Sequence, residues 1–238
     1  MAIRISRITI TIMAMRKGQG MTKPGALVRL MTMLSPAFPV GAFSFSSGLE
    51  QAAADRLVID EATLGAWLGD MLRVGALWND AVLLAESWRC ARSADALAEI
   101  NELAVALAGS AGRHTETTAQ GAAFLSAAKQ AWPTPELPDE AAYPVAVGAV
   151  AARIGVEIDT VLPIFLNAAV TNQVQAAIRL SLTGQNGGVR LLAALEPVIL
   201  EIAGRASTVT LDDLGSATFV AEISAMNHET LGSRIFRT

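Results

Sequence analysis

From Asp60 onward apolar residues recur at intervals of three and four. Leu64, Trp67, Leu68, Met71, Leu72 and Leu77 fall on one side of a 3.6-residue period, which predicts an amphipathic helix. A second run follows through Asp80, Leu83, Leu84, Trp88 and Cys90. A third starts at Ser93, a suitable N-cap, and continues through Leu97, Ile100, Leu103 and Leu107 until Gly109 and Gly112 end it. Another helix is expected from about Thr115 to Ala131. The three prolines of Trp132-Pro133-Thr134-Pro135-Glu136-Leu137-Pro138 then force a loop. Pro144 to Ile154 and Asp159 to Thr183 read as two further helices, the second long and nearly free of charge, as a central buried helix should be. The glycines at 184, 187 and 188 read as a stop and restart, with helices from Val189 to about Ala203 and from Leu211 to about Met226. Period-two alternation is confined to the N-terminal isoleucines, and the closely spaced hairpin turns of a sheet protein are missing. The expected fold is all-α, a single-domain helical bundle without internal repeats.

Leu30 to Leu49 carries no charge and reaches membrane-spanning length, but Pro36, Pro39, Gly41 and Gly48 would break a spanning helix, so no membrane span is expected. The hydrophobic share of 52% in 238 residues suffices for one sizeable core. The net charge of −4 hides an asymmetry. Residues 1 to 25 hold Arg4, Arg7, Arg16, Lys17 and Lys23 and no acid, which by subtraction leaves −9 for the rest. An acidic body with lysines only at 17, 23 and 129 does not suit a phosphate backbone, so nucleic acid is not an expected partner. The single Cys90 allows no intrachain disulfide and no multi-thiolate metal site, in keeping with a cytoplasmic location. Residues 1–26 lack a signal-peptide core and cleavage site. With Met13, Met15 and Met21 as alternative starts, they are expected to be a disordered or upstream extension, ahead of a domain over 27–238.

Candidates for chemistry are few. His114 and His228 are the only histidines. His228-Glu229 lacks the second histidine of a zinc-protease motif, because position 232 is glycine, and suits a hydrogen-bonding role near a helix end. Asp212 and Asp213 fit a helix N-terminal turn better than a magnesium cluster. Gly184, Gly187 and Gly188 are followed by no Lys-Ser or Lys-Thr pair, so a phosphate cradle is not favoured. No metal site, cofactor or catalytic residue is assigned.

Three features point to contacts instead. Asn172, Gln175 and Arg179 form one polar stripe on the otherwise apolar long helix, so Arg179 either bonds acceptors within the bundle or faces a partner. The end, Ser233-Arg234-Ile235-Phe236-Arg237-Thr238, reads either as a frayed terminus or as a docking peptide with Phe236 as its anchor. Phe38, Phe43 and Phe45, interleaved with proline, glycine and serine, form a loop that its own bundle or another subunit must cover.

Ser35-Pro36-Ala37-Phe38-Pro39-Val40-Gly41-Ala42-Phe43-Ser44-Phe45-Ser46-Ser47-Gly48-Leu49-Glu50 resembles the N-terminal signature of the urease accessory protein UreF family. Gly112-Arg113-His114-Thr115-Glu116, Gln120-Gly121, the Asn172 to Gln185 segment and Met226 to Arg237 resemble that family's later blocks in the same order. Departures are Phe45 where a tyrosine is common, Ser47 for glutamine, Leu182 for proline, Asn227 for a basic residue, and the Leu231-Gly232 pair. The resemblance implies an all-α homodimer acting as a non-catalytic adaptor in nickel insertion into apo-urease. Its implied partners are the accessory scaffold protein UreD (UreH) and the nickel GTPase UreG, whose activity it would also modulate. The implied partner-binding residues are Asn172, Gln175, Arg179, Gln185, His228, Glu229, Arg234, Phe236 and Arg237. Phe38, Pro39, Gly41, Phe43, Ser44, Phe45 and Gly48 form the implied dimer or interface loop. The alternative from another class is an α-helical enzyme using His114 or His228 with a nearby glutamate as acid and base; it gains if the two histidines prove neighbours in a concave pocket and loses if either lies exposed on a flat face.

Overall fold

Three of the helices start where a side chain supplies an acceptor for their free N–H groups. In the computed structural model, which describes residues 22–132 and 137–237, Asp60 caps helix α3 (Glu61–Val74) in a reciprocal box with Thr63. Ser93 caps α5 (Ala94–Ala106) and Ser110 caps α6 (Ala111–Ala131) through their side chains. The remaining long helices are α4 (Ala76–Arg89), α7 (Tyr143–Arg153), α8 (Ile158–Arg179) and α9 (Gln185–Ala206). Two shorter helices, α1 (Pro24–Met33) and α2 (Leu49–Ala54), flank the uncharged stretch, and α10 (Phe219–Asn227) precedes the tail. Among the described residues there is no strand, and the fold is all-α as its periodicity indicates.

The core is one cluster in which α4 packs on α7, α7 on α6, and α9 on α8 and α3. Leu162, Phe165, Leu166, Val170 and Val174 of α8 are fully enclosed, which makes α8 the central helix. It is also the one helix among the described residues long and apolar enough to cross a membrane, and half of that stretch is buried inside the fold.

Several boundaries differ from the sequence expectation, three of them because a tertiary contact replaces a local one. The helix expected from Val189 begins at Gln185 and takes in both glycines. A Cβ on Gly188 would lie 2.8 Å from Val174 Cγ1, and one on Gly187 would lie 1.9 Å from Glu61 Oε1. These glycines permit close helix crossing and stop nothing. Gly112 lies inside α6, which starts four residues before Thr115 because Ser110 and the Glu229 carboxylate satisfy its first turn. The helix expected from Leu211 is only a 3-10 turn to Asp213. An extended segment follows, whose Gly215 N–H bonds Asn79 Oδ1 (2.9 Å) and Ala217 N–H bonds Val74 O (2.8 Å). At the N-terminal side α1 starts at Pro24, ahead of the expected boundary at 27, and Thr22 accepts from Glu157 N–H at 3.1 Å. Residues 1–21 and, of the expected proline loop, 133–136 lie outside the described residues.

Candidate functional site

Glu50 is the first charge after Arg29, and it organises the C-terminal tail. Its side chain is buried at the start of α2 and accepts from three donors: His228 Nε2 at 2.7 Å, Ile235 N–H at 2.6 Å and Phe236 N–H at 3.1 Å. A carboxylate acceptor places the imidazole proton on Nε2 and leaves His228 Nδ1 buried without a partner. Burial alone would raise the Glu50 pKa. The His228 bond and the two backbone N–H groups outweigh it and hold the carboxyl below its ordinary value. His228 is 1% exposed at the end of α10, in the helix-end role its sequence context suggested.

Beyond this anchor the tail lies across the signature loop. Arg237 N–H donates to Ser44 O at 2.8 Å. Phe236, 4% exposed, sits beneath the Arg179 guanidinium at 4.2 Å, and the Arg237 guanidinium stands over the Phe45 ring at 5.9 Å. Arg179 also donates to Phe43 O, and Asn172 Nδ2 donates to Ala42 O at 3.1 Å. Two members of the polar stripe of α8, Asn172 and Arg179, therefore find partners in the backbone of the loop, while Gln175 is exposed. Of the two alternatives for Arg179, the structure shows the first, a bond to an acceptor of its own chain, while the side chain remains exposed.

Three segments far apart in sequence thus meet: loop 42–47, the C-terminal half of α8, and the tail. Not every expected contact residue faces outward. Phe38 is taken into the core against Phe124 and Trp132, Phe45 is buried, and Gly48 lies so close to α10 that a Cβ would meet Ala225 N at 2.9 Å. Gly48 also has a φ of 84°, which favours glycine. Pro39 is exposed, Gly41 and Ser44 are half-buried, and Phe43 points outward at 72% exposure. Gln175, Gln185, Glu229, Arg234 and Arg237 are exposed, and Glu229 also accepts from Ala111 N–H at 2.9 Å. His228 and Phe236 present nothing to a partner while the tail stays seated.

Sequence reasoning missed Glu50, although a lone acid ending a long uncharged run was a visible signal. It also missed the outer face of α10, where Phe219, Val220, Ile223 and Met226 are between 44% and 66% exposed while Ala221 and Ser224 face inward. Ile235 of the tail is exposed as well. A third omission is a buried polar network. Ser47, held at a positive φ of 49°, donates to Glu116 at 2.9 Å and accepts from Gln173 at 3.1 Å. Arg113 bridges Glu116 (3.4 Å) and Asp80 (2.5 Å). His114 is exposed, and neither histidine lines the cavity beside this network; His228 pairs with Glu50 at the tail instead, so the two histidines do not share that cavity.

The sequence model of the UreF family matches residues 58–196. A urease accessory protein UreF 1 of Brucella canis is 57% identical over 216 residues, covering 90% of this chain and 94% of the relative. Urease accessory proteins UreF of Agrobacterium fabrum and Mesorhizobium japonicum are 56% and 54% identical over the same length, each covered to 96%. The chain belongs to the UreF family. The matched 216 residues of UreF relatives extend well beyond the family model on both sides taken together. Relatives bearing the UreF name are described as accessory proteins, which fits a role other than catalysis.

Proposed function

We propose that this UreF-family chain is a non-catalytic adaptor in urease maturation. It works in the cytoplasm as a homodimer, between the accessory scaffold protein UreD (UreH) and the nickel GTPase UreG, so that nickel enters apo-urease. The observation that carries the reading is the apolar outer face of α10 beside the seated tail. Four large apolar side chains lie exposed on about two helical turns, continued by Ile235. Such surface on a soluble protein marks a protein contact. Family membership supplies the urease context.

The scaffold protein docks on α10 and the tail. Because Glu50 already fixes the tail backbone, little ordering cost remains for binding. The arginines at 179, 234 and 237 and the exposed Phe43 present a cationic and aromatic rim, the composition expected of interface anchors, for the GTPase or for the second protomer. Modulation of GTP hydrolysis is read from partner turnover with and without this protein.

Truncation after Met226 removes His228, Ile235 and Phe236 together with the bonds to Glu50. It is expected to abolish capture of the scaffold protein while circular dichroism retains its helical signal, and undiminished capture would defeat the assignment. Arg179→Ala is expected to weaken GTPase recruitment or the dimer. A stable variant that recruits and dimerises normally would remove Arg179 from the interface.

A further inference from the structure

A cavity of about 330 Å³ opens between α4, the C-terminal end of α5, the start of α6 and α10. Its size falls within the range of small-ligand pockets. Apolar Met71, Leu107, Pro144 and Ala221 share the wall with polar side chains such as Asn79 and Thr218, and the floor carries Asp80 and Arg113. Both floor ions still touch solvent, with side-chain exposures of 12% and 21%.

The lining is negative on balance, with Asp80 and Glu222 against the cation Arg113. Arg113 is itself shared between Asp80 at 2.5 Å and Glu116, which lies outside the lining, at 3.4 Å. Glu116 is saturated by Ser47, Gln120 and Arg113, whereas Asp80 receives Arg113 at Oδ2 alone. The field reaches its neighbours. Burial and then the Asp80 charge push the Tyr143 hydroxyl pKa up. Burial would lower the Arg113 pKa, but Asp80 and Glu116 raise it.

An anion would meet this excess of carboxylates. A divalent metal would meet the Arg113 guanidinium, and no group of three metal-ligating side chains exists among the described residues. A single positive charge on an apolar body matches both the floor and the wall.

We propose that this cavity binds a primary ammonium group on an aliphatic stem, the ammonium pairing with Asp80 and the stem lying against the apolar residues of the wall. This inference goes beyond the adaptor reading and does not depend on it. The group comes either from a free aliphatic amine or from a lysine side chain of another protein, and the two are separable by experiment.

The test is calorimetric titration of the full-length protein with n-hexylamine, n-hexanoate and a capped Ala-Lys-Ala tripeptide. Hexylamine is expected to bind at least tenfold more tightly than hexanoate. Ala108 lines the cavity outside the ionic network, so Ala108→Trp should fill the space and reduce hexylamine affinity at least tenfold without loss of helicity. Asp80→Asn should do the same where it folds. Tripeptide binding as tight as that of hexylamine supports a lysine source, and rejection of the tripeptide with hexylamine retained supports a free amine. The site is overturned if hexylamine fails to bind, if hexanoate binds equally well, or if Ala108→Trp leaves hexylamine affinity unchanged.

Discussion

Glu50 decides whether the tail is part of the fold. Three hydrogen bonds converge on one buried carboxylate, and bonds to a charged group contribute about 1.5–3 kcal/mol each. Glu50→Gln keeps the shape but loses the charge. It should release the Ile235 and Phe236 amides to fast hydrogen exchange while the core helices keep their protection. The folded-state pKa of Glu50 is depressed below 4.5. Its stabilising contribution is therefore fully present above the ordinary glutamate value and is lost as pH falls through the lower folded value. Hydrogen exchange or fluorescence at an introduced tail label should report tail release in that acidic window for the native chain. The Glu50→Gln tail should show no transition there. A native tail equally protected above and below that window would remove Glu50 as its anchor.

At the level of elements, glycines separate close packing from chain breaks. A Cβ on Gly121 of α6 would lie 1.8 Å from Ala141 O, so Gly121→Ala forces α6 away from the start of α7. It should cost on the order of 3 kcal/mol, a fall of several degrees in Tm. Gly204 of α9 is exposed with nothing within 4 Å of its would-be Cβ, and Gly204→Ala should stabilise by about 1 kcal/mol through helix propensity. Thermal unfolding of both variants checks the pair, and equal Tm values would contradict it. The same contrast explains what was legible in the sequence. The three-four spacing of Leu64 to Leu72 and of Leu97 to Leu107 fixes α3 and α5 because their periodicity is local. Gly187 and Gly188 read as a stop because the side chains they accommodate, Val174 and Glu61, are remote in sequence. The 211–218 segment reads as helix because the Asn79 and Val74 bonds that extend it come from elsewhere. For the site, Arg179, Phe236 and the signature loop stood out singly, but nothing in their spacing showed that Arg179 stacks on Phe236.

For the whole molecule, the fold closes one core, and α10 turns four large apolar residues, Phe219, Val220, Ile223 and Met226, to the outside. Ile223 sits at the centre of that face, and its side chain has no part in the core. Ile223→Asp should change stability by no more than about 0.5 kcal/mol, as surface changes away from packing do. Its effect should be confined to association. Phe43→Ser on the loop side should in turn weaken self-association without disturbing Phe38 or Phe45, which face inward. Sedimentation velocity distinguishes these effects, with Ile223→Asp retaining and Phe43→Ser losing the dimer; a dimer unaffected by Phe43→Ser would exclude the loop as the interface.

The most direct measurement is the nickel content of urease purified from cells that produce the other urease accessory proteins with either the native chain or Ile223→Asp. Docking through α10 predicts that the variant accumulates as folded protein yet leaves urease as poor in nickel as cells lacking this chain altogether. Full nickel loading by a folded Ile223→Asp protein would contradict it.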